Sequence, residues 1–154
     1  MSDIPAIVHD TIKAERLLKA SPARVFAAWT DHEARRRWEP TPEGITAEYD
    51  GHDFRIGGYE KSRMSKDGQI LVEFETRFID IVDCSRVVSH VRAVAGGNAM
   101  SCSQHTAEFR AVGEQTRLTC HEQVAWFHGR NMRAEHEGGW SVLLDRLAAE
   151  VETA

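Results

Sequence analysis

The sequence predicts an α+β domain in which helices cover one face of an antiparallel sheet. Three observations carry this. A strand-like segment and two short helical ones open the chain, six strand-like segments separated by tight-turn chemistry follow, and a long amphipathic helix closes it.

Residues 11–20, TIKAERLLKA, place Ile12, Ala14 and Leu18 on one parity and read as a first strand. Ser21 can cap a helix, Pro22 suits its first position, and Val25, Phe26 and Trp29 form its apolar stripe. Asp31 caps a second short helix that must stop before Pro40 and Pro42. Strands are expected over residues 45–50, 54–64, 69–79, 86–93, 98–111 and 115–126. The turns KDG, AGG and VGE between them are short, which implies an antiparallel meander. Residues 131–151 then switch to helical period, with Trp140, Leu143, Leu144, Leu147 and Val151 on one face. Gly138 and Gly139 interrupt the start of this helix, which lowers its propensity and predicts close packing there.

Composition narrows the function classes. The chain has 154 residues and is 42% hydrophobic, enough for one sizeable core. A net charge of −5 without a basic run argues against nucleic acid as a partner. No apolar run approaches the roughly 20 residues that span a bilayer, so no membrane partner is expected. The N-terminus has no basic-then-apolar secretory pattern. Cys84, Cys102 and Cys120 form no close-spaced pair, consistent with reduced thiols and a cytoplasmic location.

Motifs for common chemistries fail on inspection. Gly57–Gly58 belong to no phosphate-loop pattern and precede a strand instead of opening a helix, so they predict a bulge or sharp bend that lets the sheet curl. HEQVA begins like a zinc-binding HExxH, but Ala125 stands where the second histidine belongs. The EHE at 135–137 does not put its side chains on one face. No metal and no cofactor are therefore expected. No GxSxG nucleophile elbow is present either.

Several motifs in the expected order resemble one family. SPARVFAAWTD, RRRWEP, DFRIGGYE, the DG turn, QTRLTCHEQ and EGGWSVLLDRLAAEV are similar to the START-like (SRPBCC) superfamily. Within it they most resemble the branch of the activator of heat-shock protein 90 ATPase homologues and CalC-type proteins. The resemblance covers a core of residues 11–151 in a single START-like domain spanning 1–154. It implies a helix-grip fold: a curved seven-stranded antiparallel sheet around the long C-terminal helix, with a ligand cavity between. It implies less about activity, because members include lipid carriers, cyclases, resistance proteins and co-chaperones. The chain also departs from the family, since Glu60 and Ser62 stand where relatives often carry large apolar residues. A lone domain of this kind lacks the co-chaperone's additional N-terminal domain, which makes a chaperone partner the weaker expectation.

Strand parity names the cavity wall. Leu118, Val124 and Trp126 must face inward, which turns Cys120 and Glu122 inward as well. Ala107 and Phe109 bring Ser101, Ser103 and His105. Ile70, Val72, Phe74 and Phe78 share a parity, and Phe54, Ile56 and Met64 bring Glu60 and Ser62. A bulge at the glycines would flip that register and turn Tyr59 inward instead. The candidate ligand-binding set is Trp38, Phe54, Tyr59, Glu60, Ser62, Met64, Phe74, Ser103, His105, Glu122, Trp126 and Trp140.

Each polar candidate also has a purely structural reading. Glu122 can be held by backbone or helix hydrogen bonds, and His105 can be a satisfied core histidine. The tryptophans are packing residues before they are ligand contacts. The expected function is binding of a small hydrophobic, amphipathic or aromatic molecule. One alternative is a cyclase- or hydrolase-type enzyme using Glu122 or Glu60 with His105 as acid and base. Another is a co-chaperone-like partner module. Homodimerisation is left open.

Overall fold

The computed structural model describes residues 3–39 and 41–153. Its elements run β1 (Val8–Leu18), α1 (Pro22–Thr30), α2 (His32–Trp38), β2 (Thr46–His52), β3 (Tyr59–Lys66), β4 (Gln69–Val82), β5 (Arg86–Ala95), β6 (Asn98–Val112), β7 (Gln115–Trp126) and α3 (Arg133–Glu152). The sheet is ordered β1-β7-β6-β5-β4-β3-β2, and every neighbouring pair is antiparallel. The six strands from β2 to β7 are the expected meander. β1 closes it by pairing with β7, so α1 and α2 carry the chain from one sheet edge to the other.

The helix starts follow local chemistry. Ser21 accepts a hydrogen bond from the Arg24 amide at 3.2 Å, and Pro22 occupies the first turn of α1. Asp31 accepts from the Glu33 amide to open α2. Arg24 donates to the carbonyls of Val151 and Thr153 at 2.8 and 2.9 Å. One side chain thus ties the start of α1 to the unsatisfied C-terminal carbonyls of α3.

Much of the core gathers where α1 and α3 meet the sheet. There α1 and the C-terminal half of α3 meet β1, β6 and β7 through Leu18, Val25, Phe26, Phe109, Leu118, Leu144, Leu147 and Val151. A smaller apolar group of Ile12, Val124 and Trp126 sits further along β1 and β7. The N-terminal half of α3 meets the sheet through His136 and Trp140. A Cβ added to Gly138 or Gly139 would meet nothing within 4 Å, so the close packing expected at these glycines is not there.

The segment around Gly57–Gly58 also differs from expectation. Residues 53–58 form a turn, and the strand expected over 54–64 begins at Tyr59. Gly57 has φ +84°, and a Cβ on Gly58 would lie 2.1 Å from the Asp53 carbonyl oxygen. Only glycine permits that approach. The turn is fastened to β4 by Gly57 N–H donating to Phe78 O (2.8 Å) and Phe78 N–H donating to Gly58 O (3.0 Å). The bulge that shapes this wall is in β2. Gly51, at φ +72°, is skipped between the pairs Asp50↔Lys61 and His52↔Glu60.

Candidate functional site

A cavity of about 940 Å³ lies between the sheet's inner face, α2 and the N-terminal half of α3. Strand alternation builds its wall: Ser101, Ser103, His105 and Ala107 of β6 stand beside Ala93, Val91, Ser89 and Val87 of β5. Phe74, Thr76 and Phe78 of β4 continue the row, followed by Met64, Ser62 and Glu60 of β3. Aromatic rings form an apolar belt. Trp29 and Trp140 are parallel, 6.5 Å apart at 7°, and Phe54 meets Phe78 edge-on at 5.0 Å.

Two buried carboxylates interrupt this wall. Glu122 of β7 is opposite His105 of β6, whose Nε2 lies 3.2 Å from Glu122 Oε2. His136, on the first turn of α3, places Nδ1 2.6 Å from Oε1. Each carboxylate oxygen therefore faces one imidazole. Burial pushes Glu122 upward, but the bonds to His105 and His136 outweigh it and bring its pKa down to about 2. The same contact with Glu122 raises His136 against the effect of its own burial. Trp126 Nε1 donates to His136 Nε2 at 3.4 Å, too long to outweigh the carboxylate on the other nitrogen.

Glu60 is held from three sides. Arg35 Nη1 donates to both its oxygens at 3.0 and 3.3 Å. His52 Nδ1 lies 2.9 Å from Oε1, and His32 Nδ1 3.8 Å from the same atom. Arg35 also bonds Glu39 at 3.0 Å, and the Tyr49 hydroxyl donates to the other Glu39 oxygen. Burial works against the charge on Arg35, but Glu39 and Glu60 raise its pKa. Burial, then the nearby positive charges, push His32 below its ordinary value. His32 Nδ1 is buried with no hydrogen-bond partner. One ligand atom from each of His32, His52 and Glu60 lies within 4.8 Å of the others. The expectation of no metal site rested on linear motifs, and this group comes from three separate elements.

Of the residues named from sequence, Trp38, Phe54, Glu60, Ser62, Met64, Phe74, Ser103, His105, Glu122 and Trp140 surround the cavity. Tyr59 does not. It is 56% exposed while Glu60 is 4% exposed, because the strand starts after the glycine turn and no bulge flips its register. Tyr59 instead borders a broad depression on the sheet's outer face, among Lys61, Arg77 and Arg92. Trp126 packs with Ile12 and Val124 beside the cavity and touches it through His136. Sequence reasoning missed Trp29, Arg35, Tyr49, His52 and His136, all of which line the wall. Tyr49 and Ala47 alternate visibly in β2, but His52 enters only because the Asp50-Gly51 pair bulges.

The family model described as Activator of Hsp90 ATPase homolog 1-like protein matches residues 19–152. The chain belongs to this family. The resemblance expected from its motifs is thereby established, and the curved antiparallel seven-stranded sheet with its long C-terminal helix is the helix-grip arrangement of the START-like superfamily. The Mll3558 protein of Rhizobium loti is 40% identical over 94% of this chain and 99% of its own, with a TM-score of 0.84. An uncharacterised protein of Rhizobium leguminosarum is 30% identical over 97% of this chain and 99% of its own, with a TM-score of 0.85. Protein CV1439 of Chromobacterium violaceum is 27% identical over 94% and 98%, with a TM-score of 0.80. A search of curated proteins gave no match. Among the described residues, no helix is long and apolar enough to cross a membrane.

Proposed function

We propose that the protein binds a small amphipathic or aromatic molecule in the cavity between the sheet and α3. The observation that carries this is an aromatic belt between two buried carboxylate clusters, in a space of about 940 Å³. That volume is within the range of sites for drug-sized ligands. A flat apolar body fits against Trp29 and Trp140, and donor groups at its ends suit Glu122 and Glu60. Cys84, Cys102 and Cys120 are free thiols, which supports a cytoplasmic setting.

Filling the cavity tests this reading. Ser103→Trp places a large ring among the wall residues from β6. A neutral solvatochromic dye should bind the native protein and bind the variant about tenfold or more weakly, a loss of about 1.4 kcal/mol. Circular dichroism should show the fold retained. A true ligand at 100 times its Kd should stabilise the protein by about 2.7 kcal/mol. Equal dye affinity in both proteins, with no compound class raising Tm, would rule the cavity out as a binding site.

A second reading, general acid–base catalysis, is favoured by the contact of Glu122 with both His105 and His136. Under it, Glu122→Gln would abolish turnover of a bound substrate while leaving the fold intact. Under simple binding, the same change would alter affinity alone.

A further inference from the structure

We propose that His32, His52 and Glu60 form a binding site for one divalent transition-metal ion of the Zn²⁺ class, with its open coordination position facing the cavity. This goes beyond the ligand-binding reading and stands without it.

The three residues reach one place by different routes. His32 is the first residue of α2, His52 lies just past the Gly51 bulge of β2, and Glu60 is the second residue of β3. Without the extra residue at Gly51, the position opposite Glu60 would not be His52. The bulge thus aims an imidazole at a buried carboxylate. Two imidazoles and one carboxylate are the donor set of three-ligand zinc sites that keep an open position. All-oxygen preferences make magnesium and calcium poor alternatives.

Distances suit the ion. Zinc bonds of about 2.0–2.2 Å at tetrahedral angles separate ligand atoms by about 3.4 Å. Here Glu60 Oε1 is 2.9 Å from His52 Nδ1 and 3.8 Å from His32 Nδ1, values on either side of that spacing. The buried His32 Nδ1 supplies a second, independent sign. It has no partner in the protein, and a buried polar atom without one is costly. A metal ion would satisfy it.

The rings are already oriented. His52 lies parallel to Phe54 at 6.2 Å and 3°, and tilts against His32 at 4.8 Å. The edge of His32 meets Tyr49 at 4.9 Å and 82°. Packing of this kind holds the rings before an ion arrives. Arg35 is the competing cation. A carboxylate has about four lone-pair sites, so Nη1 occupies part of Glu60 and leaves the rest available. Glu39 offsets the charge of Arg35 at 3.0 Å. Arg35 then acts as an outer partner that orients a metal ligand.

The test uses the full chain, freed of metal by chelation and titrated with Zn²⁺ alone, then with Co²⁺. The expected result is one equivalent bound, a rise in Tm, and visible Co²⁺ bands of a four- or five-coordinate site without thiolate charge transfer. His32→Ala and His52→Ala should each weaken Zn²⁺ binding by about tenfold or more, and His90→Ala on the outer face should not. If an alanine variant fails to fold, His32→Gln or His52→Gln is read in its place. Absence of Zn²⁺ binding to the native chain would overturn the proposal. So would binding that survives both histidine changes but is lost in His136→Ala, which would place the ion at Glu122.

Discussion

Glu122 is 5% exposed, a position where an unpartnered carboxylate would give up its charge. It keeps the charge because an imidazole stands at each oxygen. This has a pH signature with two signs. Glu122 is depressed from 4.5 to about 2, so its contribution is fully present above pH 4.5 and is lost as pH falls toward 2. His136 is raised from 6.5, so its contribution is fully present below pH 6.5 and is lost as pH rises through the raised value. The pair therefore stabilises most between those two ordinary values. In Glu122→Gln, urea midpoints measured across pH should lose both flanking declines. A variant profile parallel to that of the native protein would show that the cluster does not couple to folding.

Among the elements, α3 divides into two halves with different duties. Its C-terminal half buries Leu144, Leu147 and Val151, while its N-terminal half carries His136, Gly139 and Trp140 over the cavity. Gly138 faces open space, where its cost in helix propensity brings no packing gain. Gly138→Ala should therefore stabilise the protein by about 0.5–1 kcal/mol, read as a higher urea midpoint with an unchanged slope. Destabilisation instead would mean that the helix adjusts its position at this residue. The element read least well from sequence was β3. Phe54 and Ile56 continue the alternation of Met64 across the glycines, so periodicity alone extends the strand through a turn. What ends it is the approach of Gly58 to the Asp53 carbonyl, a contact between residues that periodicity does not register.

In the whole molecule the packed core and the cavity share a wall, since Trp38, Phe78, Val87 and Ala107 belong to both. Leu18, Val25, Leu118, Leu144, Leu147 and Val151 lie in the part of the core that does not line the cavity, where α1 and the last turns of α3 meet the sheet. Leu147→Ala, at a position with 0% exposure, should cost about 2–5 kcal/mol in chemical denaturation. Dye affinity in the fraction that remains folded should be unchanged. A parallel loss of affinity would show that this part of the core and the cavity behave as one packed unit.

By itself the sequence determined the order of elements, the antiparallel meander, the family, and the inward parity of β6 and β7 with Ser103, His105 and Glu122. Those follow from period, capping and turn chemistry, which act over a few residues and leave their mark in the chain. Only the tertiary structure decided which carboxylates meet which bases. His136 reaches Glu122 from a helix 14 residues further on, and Arg35 reaches Glu60 from a helix 25 residues earlier. It also decided that Glu60, not Tyr59, faces inward and that His52 joins it. The register of β2 against β3 turns on the single residue Gly51, and pairing between strands settles where that extra residue goes.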